Sequence, residues 1–201
     1  HIADAGGQGV DDLGGRTVAA RNVRTKAAFA NATRVDLALG GSSTSVLHLL
    51  AIAREAGVVL PLSEFDRLSR ETPQLTTVTP GGPHMMEDVE YSGGTPSILT
   101  RLLPFLQKTP PVAGEEITAI ARRGRVLDDG IIRTLKAPVR KEGGLAILTG
   151  HLAPGGAAVK QSGVDPSMFG RRGKARVFDP EEPARAPSRG VRRRPGPGGA
   201  P

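Results

Sequence analysis

Residues 39–57 read LGGSSTSVLHLLAIAREAG, and this stretch sets the pattern for the first part of the chain. Two glycines come early, four hydroxyl residues follow, and apolar residues then continue with few interruptions up to Gly57. Ser42 or Ser43 can cap a helix, and glycine commonly ends one. The stretch therefore predicts a turn and then a helix over residues 45–56. Apolar residues on nearly every side of that helix predict that it is buried.

Similar signals before and after this stretch predict three more helices. Each has a residue that can cap its first turn, and a glycine or proline that can end or bend it. The predicted helices are 26–39 (capped by Thr25), 63–70 (capped by Ser63, with Asp66 completing a capping box) and 95–107 (capped by Thr95, bent or cut at Pro104).

The sequence pattern changes from helical to strand-like after about residue 124. Short runs of β-prone residues, separated by glycine and proline, are typical of strands. The predicted strands are 130–133, 144–149, 157–160 and 175–178. A helical part followed by a strand-rich part predicts an α/β protein with a domain boundary near residue 125.

The loop of Gly40, Gly41, Ser42, Ser43 and Thr44 is the strongest chemical feature. Free backbone N–H groups, hydroxyl groups and the positive end of a helix all favour an anion such as a carboxylate or a phosphate. A plain corner between two helices with a serine cap accounts for the same residues, and the pattern alone favours that corner. The loop is a candidate substrate-binding site with a structural alternative.

Other chemically capable residues form no recognisable motif. The four histidines, at positions 1, 48, 84 and 151, lack short metal-ligand spacing, and His48 is predicted to lie in the core. Glu87 and Asp88 are adjacent carboxylates, which more often begin an exposed helix than bind a metal or act as a base. The sequence has no cysteine, which excludes disulfides, thiolate zinc sites and any iron–sulfur cluster held by this chain.

Positive charge is concentrated late in the sequence. The net charge is +7, of which residues 171–201 contribute +6 and the first 170 residues +1. Residues 183–201 are almost entirely Pro, Arg, Gly and Ala, which predicts a disordered or out-of-frame tail. A non-enzymatic protein that binds nucleic acid through this segment is the alternative from another functional class. The nearly neutral first 170 residues argue against it. A membrane span needs about 20 apolar residues, and no stretch of this sequence approaches that length. No membrane partner is therefore predicted.

Four blocks of sequence, taken in order, resemble the dihydroxy-acid dehydratase family. They are residues 21–32 (RNVRTKAAFANA), residues 39–57, residues 86–96 (MEDVEYSGGTP) and residues 143–166 (GGLAILTGHLAPGGAAVKQSGVDP). The last block is the most specific, and the resemblance covers about residues 20–182. The wider family includes phosphogluconate dehydratase and other sugar-acid dehydratases, which are the alternative within the family.

The resemblance implies a fold, a reaction and cofactors. Family members have an N-terminal α/β domain and a C-terminal β-barrel domain. Residues 1–125 would end the first domain, residues 126–182 would begin the second, and residues 183–201 would form the tail. Members remove water from a 2,3-dihydroxy acid to give a 2-keto acid. An iron–sulfur cluster acts on the 3-hydroxyl group, Mg²⁺ holds the substrate and a serine removes the C2 proton. Valine and isoleucine biosynthesis, a cytoplasmic location and a homodimeric parent enzyme are implied as well.

The family's catalytic groups do not map onto this chain. The cluster cysteines and most magnesium ligands precede residue 1 in the family pattern, and the last magnesium carboxylate and the serine base follow residue 201. The chain is therefore expected to be an internal fragment that is inactive alone and ligates neither cofactor. Thr44 stands where the family's Gly-Gly-Ser-Thr-Asn motif has asparagine, and the segment between Gln107 and Leu127 departs from the family's usual linker.

Overall fold

The computed structural model describes residues 19–109 and 115–174. The chain divides into two compact units, residues 1–165 and residues 166–201. The described elements of the first unit are α1 (Ala20–Val23), α2 (Lys26–Leu39), α3 (Ser43–Glu55), α4 (Leu62–Glu71), α5 (Met86–Tyr91), α6 (Gly94–Leu102), α7 (Ile117–Arg123), β1 (Leu145–Gly150) and β2 (Ala153–Lys160), with 3-10 turns at Leu103–Phe105 and Gln161–Gly163. The described part of the second unit begins with a 3-10 turn, Pro166–Met168. Over the described ranges, no helix is long and apolar enough to cross a membrane.

Helix α2 has the limits that the sequence predicts, because both of its ends carry strong local signals. Thr25 Oγ1 accepts a hydrogen bond from the backbone N–H of Ala28 at 3.2 Å, which satisfies one free donor of the first turn. At the other end Gly40 has a φ of +111°, a left-handed conformation that glycine adopts at low cost. The helix therefore ends where the two glycines begin.

Helix α3 begins two residues before its predicted start, and its burial differs from the prediction. Val46 and Ala53 are buried, but Leu47 is 67% exposed and Ile52 is 41% exposed. His48, predicted as a core residue, is exposed as well. One face of the helix packs on the core and the opposite face does not, within the part of the chain that the structure describes. The prediction of a helix buried on all sides is therefore wrong.

The caps predicted for α4 and α6 are also wrong. Pro61 occupies the N-cap position of α4, so that Ser63 lies inside the first turn and makes no capping hydrogen bond. Helix α6 starts directly after Gly93, whose φ of +112° turns the chain into the helix, so that Thr95 is already helical. The predicted interruption at Pro104 is confirmed, because α6 gives way there to a 3-10 turn.

Strands β1 and β2 form an antiparallel hairpin, the one sheet found in the described ranges. Leu145 pairs with Lys160 at the open end, and Gly150 pairs with Ala153 at the turn. The predicted strands 144–149 and 157–160 are confirmed, although the second begins earlier than predicted. The described residues thus contain helices followed by a pair of strands, and the β-barrel remains a prediction.

The predicted strand at residues 130–133 is wrong. Asp128 Oδ1 accepts a hydrogen bond from the backbone N–H of Gly130 at 2.6 Å, and the Asp128 carbonyl accepts one from Ile132 at 3.0 Å. These bonds close a turn, which satisfies the local backbone without a partner strand. The predicted strand at 175–178 and the tail at 183–201 lie outside the described residues.

Two clusters of buried apolar side chains form the core of the first unit. The first joins α2, α4 and β1, and includes Phe29, Leu37, Phe65, Leu68 and Leu145. The second joins α2 and α6 to the chain around residue 132, and includes Ala38, Leu75, Ile98, Leu102 and Ile132. Burying one such leucine contributes about 1.5 to 3 kcal/mol. Residues on both sides of the predicted boundary at 125 thus share one core, and the boundary remains a prediction about the intact protein.

Arg67 on α4 forms hydrogen bonds with two glutamates of its own helix. It lies 2.6 Å from a carboxylate oxygen of Glu64 and 2.6 Å from one of Glu71. The bond to Arg67 lowers the pKa of Glu64, and bonds to Arg34 and then to Arg67 lower the pKa of Glu71. Lowered pKa values mean that the charged carboxylates stabilise the fold above their ordinary pKa. This stabilisation is lost as the pH falls through the lowered values.

We expect Arg67→Gln to reduce the free energy of unfolding at pH 7 by about 0.5 to 1 kcal/mol, because these ion pairs are partly exposed. The difference from the wild type should shrink once the pH falls below the ordinary pKa of glutamate, and it should vanish after the pH has fallen through the lowered pKa values of Glu64 and Glu71. Arg54→Gln, the same change at an exposed arginine on α3, is the control. Thermal unfolding followed by circular dichroism measures both. A difference that stays constant from pH 7 to pH 3.5 would contradict this account.

Candidate functional site

The glycine-rich loop between α2 and α3 is held in a conformation that glycine adopts easily. Gly40 and Gly41 both have positive φ angles, +111° and +69°, and both are buried. Ser42 follows as the N-cap of α3, and its Oγ accepts a hydrogen bond from the backbone N–H of Thr44 at 3.2 Å. The serine cap predicted from the sequence is confirmed.

This loop lies against the start of β1. A methyl group added to Gly41 would overlap the side chain of Leu145, and one added to Gly144 would overlap the carbonyl group of Gly40. The backbone N–H of Gly144 donates to the carbonyl of Leu37 at 3.1 Å, which fixes the same contact from the side of α2. The loop is therefore supported by a segment more than 100 residues later in the chain.

A carboxylate of the protein already lies at the positive end of α3. Asp36 Oδ1 accepts a hydrogen bond from Ser45 Oγ at 2.9 Å, and Asp36 Oδ2 is buried without a hydrogen-bond partner among the described residues. Burial raises the pKa of Asp36, while the bond from Ser45, the nearby backbone of Ser42 and the charge of Lys160 act in the opposite direction. Because Asp36 neutralises this helix end, an anionic ligand would have to bind through other groups of the loop.

Lys160 brings a positive charge to the inner side of the loop. Its Nζ donates a hydrogen bond to the carbonyl oxygen of Gly41 at 2.8 Å. Close by, Ser162 Oγ is buried without a hydrogen-bond partner in the described structure, and it faces the α-carbon of Gly81. Any side chain at position 81 would meet Ser162. The loop, the turn at Gly81 and the end of β2 thus converge on one region.

The outer side of the loop is open. Ser43 and Thr44 are exposed, and neither hydroxyl has a hydrogen-bond partner among the described residues. Ser43 also borders a cavity of about 270 Å³ whose remaining lining is apolar or glycine: Val46, Leu47, Leu50, Leu62, Gly156 and Ala158. A hydroxyl group at the edge of an apolar cavity suits a small ligand that has both a polar and a hydrocarbon part.

The other residues considered from the sequence lie elsewhere and have simpler roles. Asp88 Oδ2 accepts a hydrogen bond from the backbone N–H of Met85 at 2.7 Å, so it caps the first turn of α5. Glu87 lies exposed in the same turn, and His151 is exposed in the turn between β1 and β2. The structural interpretation of the adjacent carboxylates fits this geometry, and His1 lies outside the described residues.

The described residues do not fit a bound metal ion or cluster. Across ranges 19–109 and 115–174, no three or more histidine, aspartate or glutamate side chains are placed to hold a metal. The complete sequence has no cysteine to ligate an iron–sulfur cluster.

Sequence reasoning did not identify Asp36, Lys160 or Ser162 as part of the site region. Lys160 and Ser162 lie within the block 143–166, which most specifically resembles the family. That resemblance was the one sequence signal that could have pointed to them. A single lysine at the end of a strand is not part of a repeating pattern, so the sequence does not predict what it contacts. Lys160 and Gly41 are 119 residues apart in sequence, so their contact follows only from the path of the chain.

Comparison with known proteins identifies the family. Residues 1–120 match the model of the N-terminal part of dihydroxy-acid/6-phosphogluconate dehydratases, and residues 130–192 match the model of the C-terminal part. The chain belongs to this dehydratase family. The resemblance inferred from the four sequence blocks is therefore confirmed. Within the family framework, the bond from Lys160 to Gly41 connects the two matched parts.

Relatives with assigned names support the same family. A dihydroxy-acid dehydratase of Geotalea daltonii is 51% identical over 92% of this chain and 34% of the relative. Those of Geobacter sulfurreducens and Thermodesulfovibrio yellowstonii are 49% identical over 96% of the chain and 46% identical over 92%, covering 35% and 34% of the relatives. The chain spans about a third of the length of the curated relatives that it matches.

Proposed function

We propose that this chain is a segment of a dihydroxy-acid dehydratase, a hydro-lyase that converts 2,3-dihydroxy acids to 2-keto acids in valine and isoleucine biosynthesis. The observation that carries the proposal is the 51% identity, over 92% of the chain, to a relative named dihydroxy-acid dehydratase. The same name belongs to relatives from several bacterial genera at 46% to 51% identity. A 6-phosphogluconate or other sugar-acid dehydratase is the alternative within the family.

In this proposal the loop of Gly40, Gly41, Ser42, Ser43 and Thr44 helps to bind the dihydroxy acid. Two features support this role. The free hydroxyls of Ser43 and Thr44 can form hydrogen bonds with substrate oxygens, and the neighbouring apolar cavity can accept a branched hydrocarbon chain. Asp36 already neutralises the positive end of α3, so these hydroxyls rather than the helix end would contact the substrate.

The proposal includes the organisation of the whole enzyme. Residues 1–125 would end its α/β domain, residues 126–182 would begin a β-barrel domain, and residues 183–201 would be a tail. An iron–sulfur cluster and Mg²⁺ would be held by parts of the enzyme other than this chain, since the residues here do not fit them. We further propose a homodimer in the cytoplasm, as the family resemblance implies.

A hybrid enzyme tests the function. In it, this chain replaces the matching segment of the Geotalea daltonii dehydratase, which supplies the remaining two thirds of the length. We expect the hybrid to dehydrate 2,3-dihydroxyisovalerate and to restore growth of a dehydratase-deficient strain without added valine and isoleucine. The 201-residue chain alone should show no dehydratase activity.

Two results would count against the proposal. A hybrid that is folded but inactive on dihydroxy acids would contradict the assignment of this chain to such an enzyme. A hybrid that has gained a preference for 6-phosphogluconate would favour the sugar-acid alternative. The unmodified Geotalea daltonii enzyme, assayed on both substrates, is the reference.

A further inference from the structure

We propose that Lys160, the last residue of β2, is a positioning residue. It holds the loop of residues 40–44 in its ligand-binding conformation. The expected effect on catalysis rests on the proposed function. The expected effect on the loop itself does not.

The backbone on both sides of Lys160 is firmly held. Lys160 pairs with Leu145 at the open end of the hairpin. The backbone N–H of Gln161 donates to the carbonyl of Gly144 at 2.9 Å, and Gln161 Nε2 contacts the carbonyl of Gly143 at 3.3 Å. A side chain that starts from such a fixed point can restrain the group that it binds.

The group that Lys160 binds is the backbone carbonyl of Gly41, in the middle of the turn between α2 and α3. Gly40 is covered by Gly144, and the backbone N–H of Gly41 donates to the carbonyl of Asp36 at 2.8 Å. The carbonyl of Gly41 receives the Lys160 ammonium at 2.8 Å. A hydrogen bond from a charged donor is stronger than a neutral one, so this bond should contribute more to the local stability of the loop than a neutral bond would.

Lys160 also interacts with a negative charge beside the loop. The half-buried Asp36 carboxylate accepts a hydrogen bond from Ser45 Oγ at the start of α3, and the Lys160 ammonium lies close enough to interact with it electrostatically. Replacing Lys160 with a neutral residue removes a bond to the loop and the neighbouring positive charge together. The positions of Ser43 and Thr44, which follow directly in the chain, would then be less well defined.

Hydrogen–deuterium exchange in the hybrid enzyme tests the restraint. In Lys160→Met, which keeps most of the hydrocarbon stem, we expect amides in residues 36–50 to exchange at least about tenfold faster. Protection in α4 should be unchanged. Lys141→Met, the same change at an exposed lysine of the same region, is the matched control and should leave residues 36–50 unaffected. If Lys160→Met does not give folded protein, Lys160→Gln is measured in its place.

Steady-state kinetics supply the second measurement. A restraint on a substrate-binding loop predicts a KM for 2,3-dihydroxyisovalerate that rises about tenfold, with kcat changed less than about twofold. If Lys160→Met only reduced the folded fraction, kcat would fall and KM would stay the same. That result would overturn the positioning role. Unchanged exchange in residues 36–50 would overturn the proposal altogether. If the hybrid is inactive with every dihydroxy acid, the proposed function fails, and the exchange measurement still decides whether Lys160 restrains the loop.

Discussion

Gly144→Ala should prevent this segment from folding correctly and should abolish activity of the hybrid enzyme. A methyl group at position 144 would overlap the carbonyl group of Gly40, and both are backbone positions that cannot rotate away. Hydrogen bonds to Leu37 and Gln161 fix the backbone of Gly144 on both sides. Separating the loop from β1 would break these bonds, so we expect a loss of about 3 kcal/mol or more in the free energy of unfolding.

Gly150→Ala is the matched control for this prediction. Gly150 lies at the other end of β1 and has no atom within 4 Å of an added methyl group. Its substitution should change stability by no more than about 0.5 kcal/mol. Thermal unfolding and soluble yield of the two hybrid variants give the comparison. If Gly144→Ala were as stable as Gly150→Ala, the close approach between loop and strand would be wrong.

Arg34→Met should cause the second largest loss, because Arg34 joins three parts of the core. Its guanidinium is almost completely buried, donates to Thr72 Oγ1 and to Glu71 Oε2 at 2.7 Å each, and lies 5.6 Å from the ring centre of Phe105. Methionine fills similar space but leaves the buried Thr72 hydroxyl and Glu71 Oε2 without the guanidinium, while Glu71 Oε1 keeps its bond to Arg67. We expect a loss of about 2 to 4 kcal/mol.

Arg54→Met provides the control for this substitution. Arg54 is exposed on α3, so the same change of side chain and charge should have almost no effect. The midpoints of thermal unfolding, measured for both variants in the hybrid at pH 7, test the difference. A loss below about 1 kcal/mol for Arg34→Met would show that α2, α4 and the turn at Phe105 do not depend on this side chain.

The sequence was sufficient where a signal acts over a few residues. Thr25 and Gly40 fixed both ends of α2, and a serine cap was expected for α3 and found. The β-prone runs at 144–149 and 157–160 became the two paired strands. In each case a neighbouring side chain or a glycine satisfies the backbone locally, so the outcome depends little on the rest of the chain.

Competing local solutions account for the wrong predictions. Ser63 and Thr95 can cap helices, but Pro61 and Gly93 begin these helices earlier, so neither hydroxyl is needed. The β-prone residues near Ile132 form a turn because Asp128 closes it. Sequence propensity correctly identified residues that can cap a helix or form a strand. It could not decide between two local structures of similar energy.

The sequence by itself determined the family, four of the described helices, the two paired strands, and the glycine-rich loop as the candidate binding segment. The tertiary structure decided which face of α3 is buried, that Asp36 occupies the positive end of that helix, and that Lys160 supports the loop across 119 residues. The physical reason is the range of the interactions. Caps and turns depend on atoms a few residues apart, whereas burial and charge pairing depend on where distant segments meet.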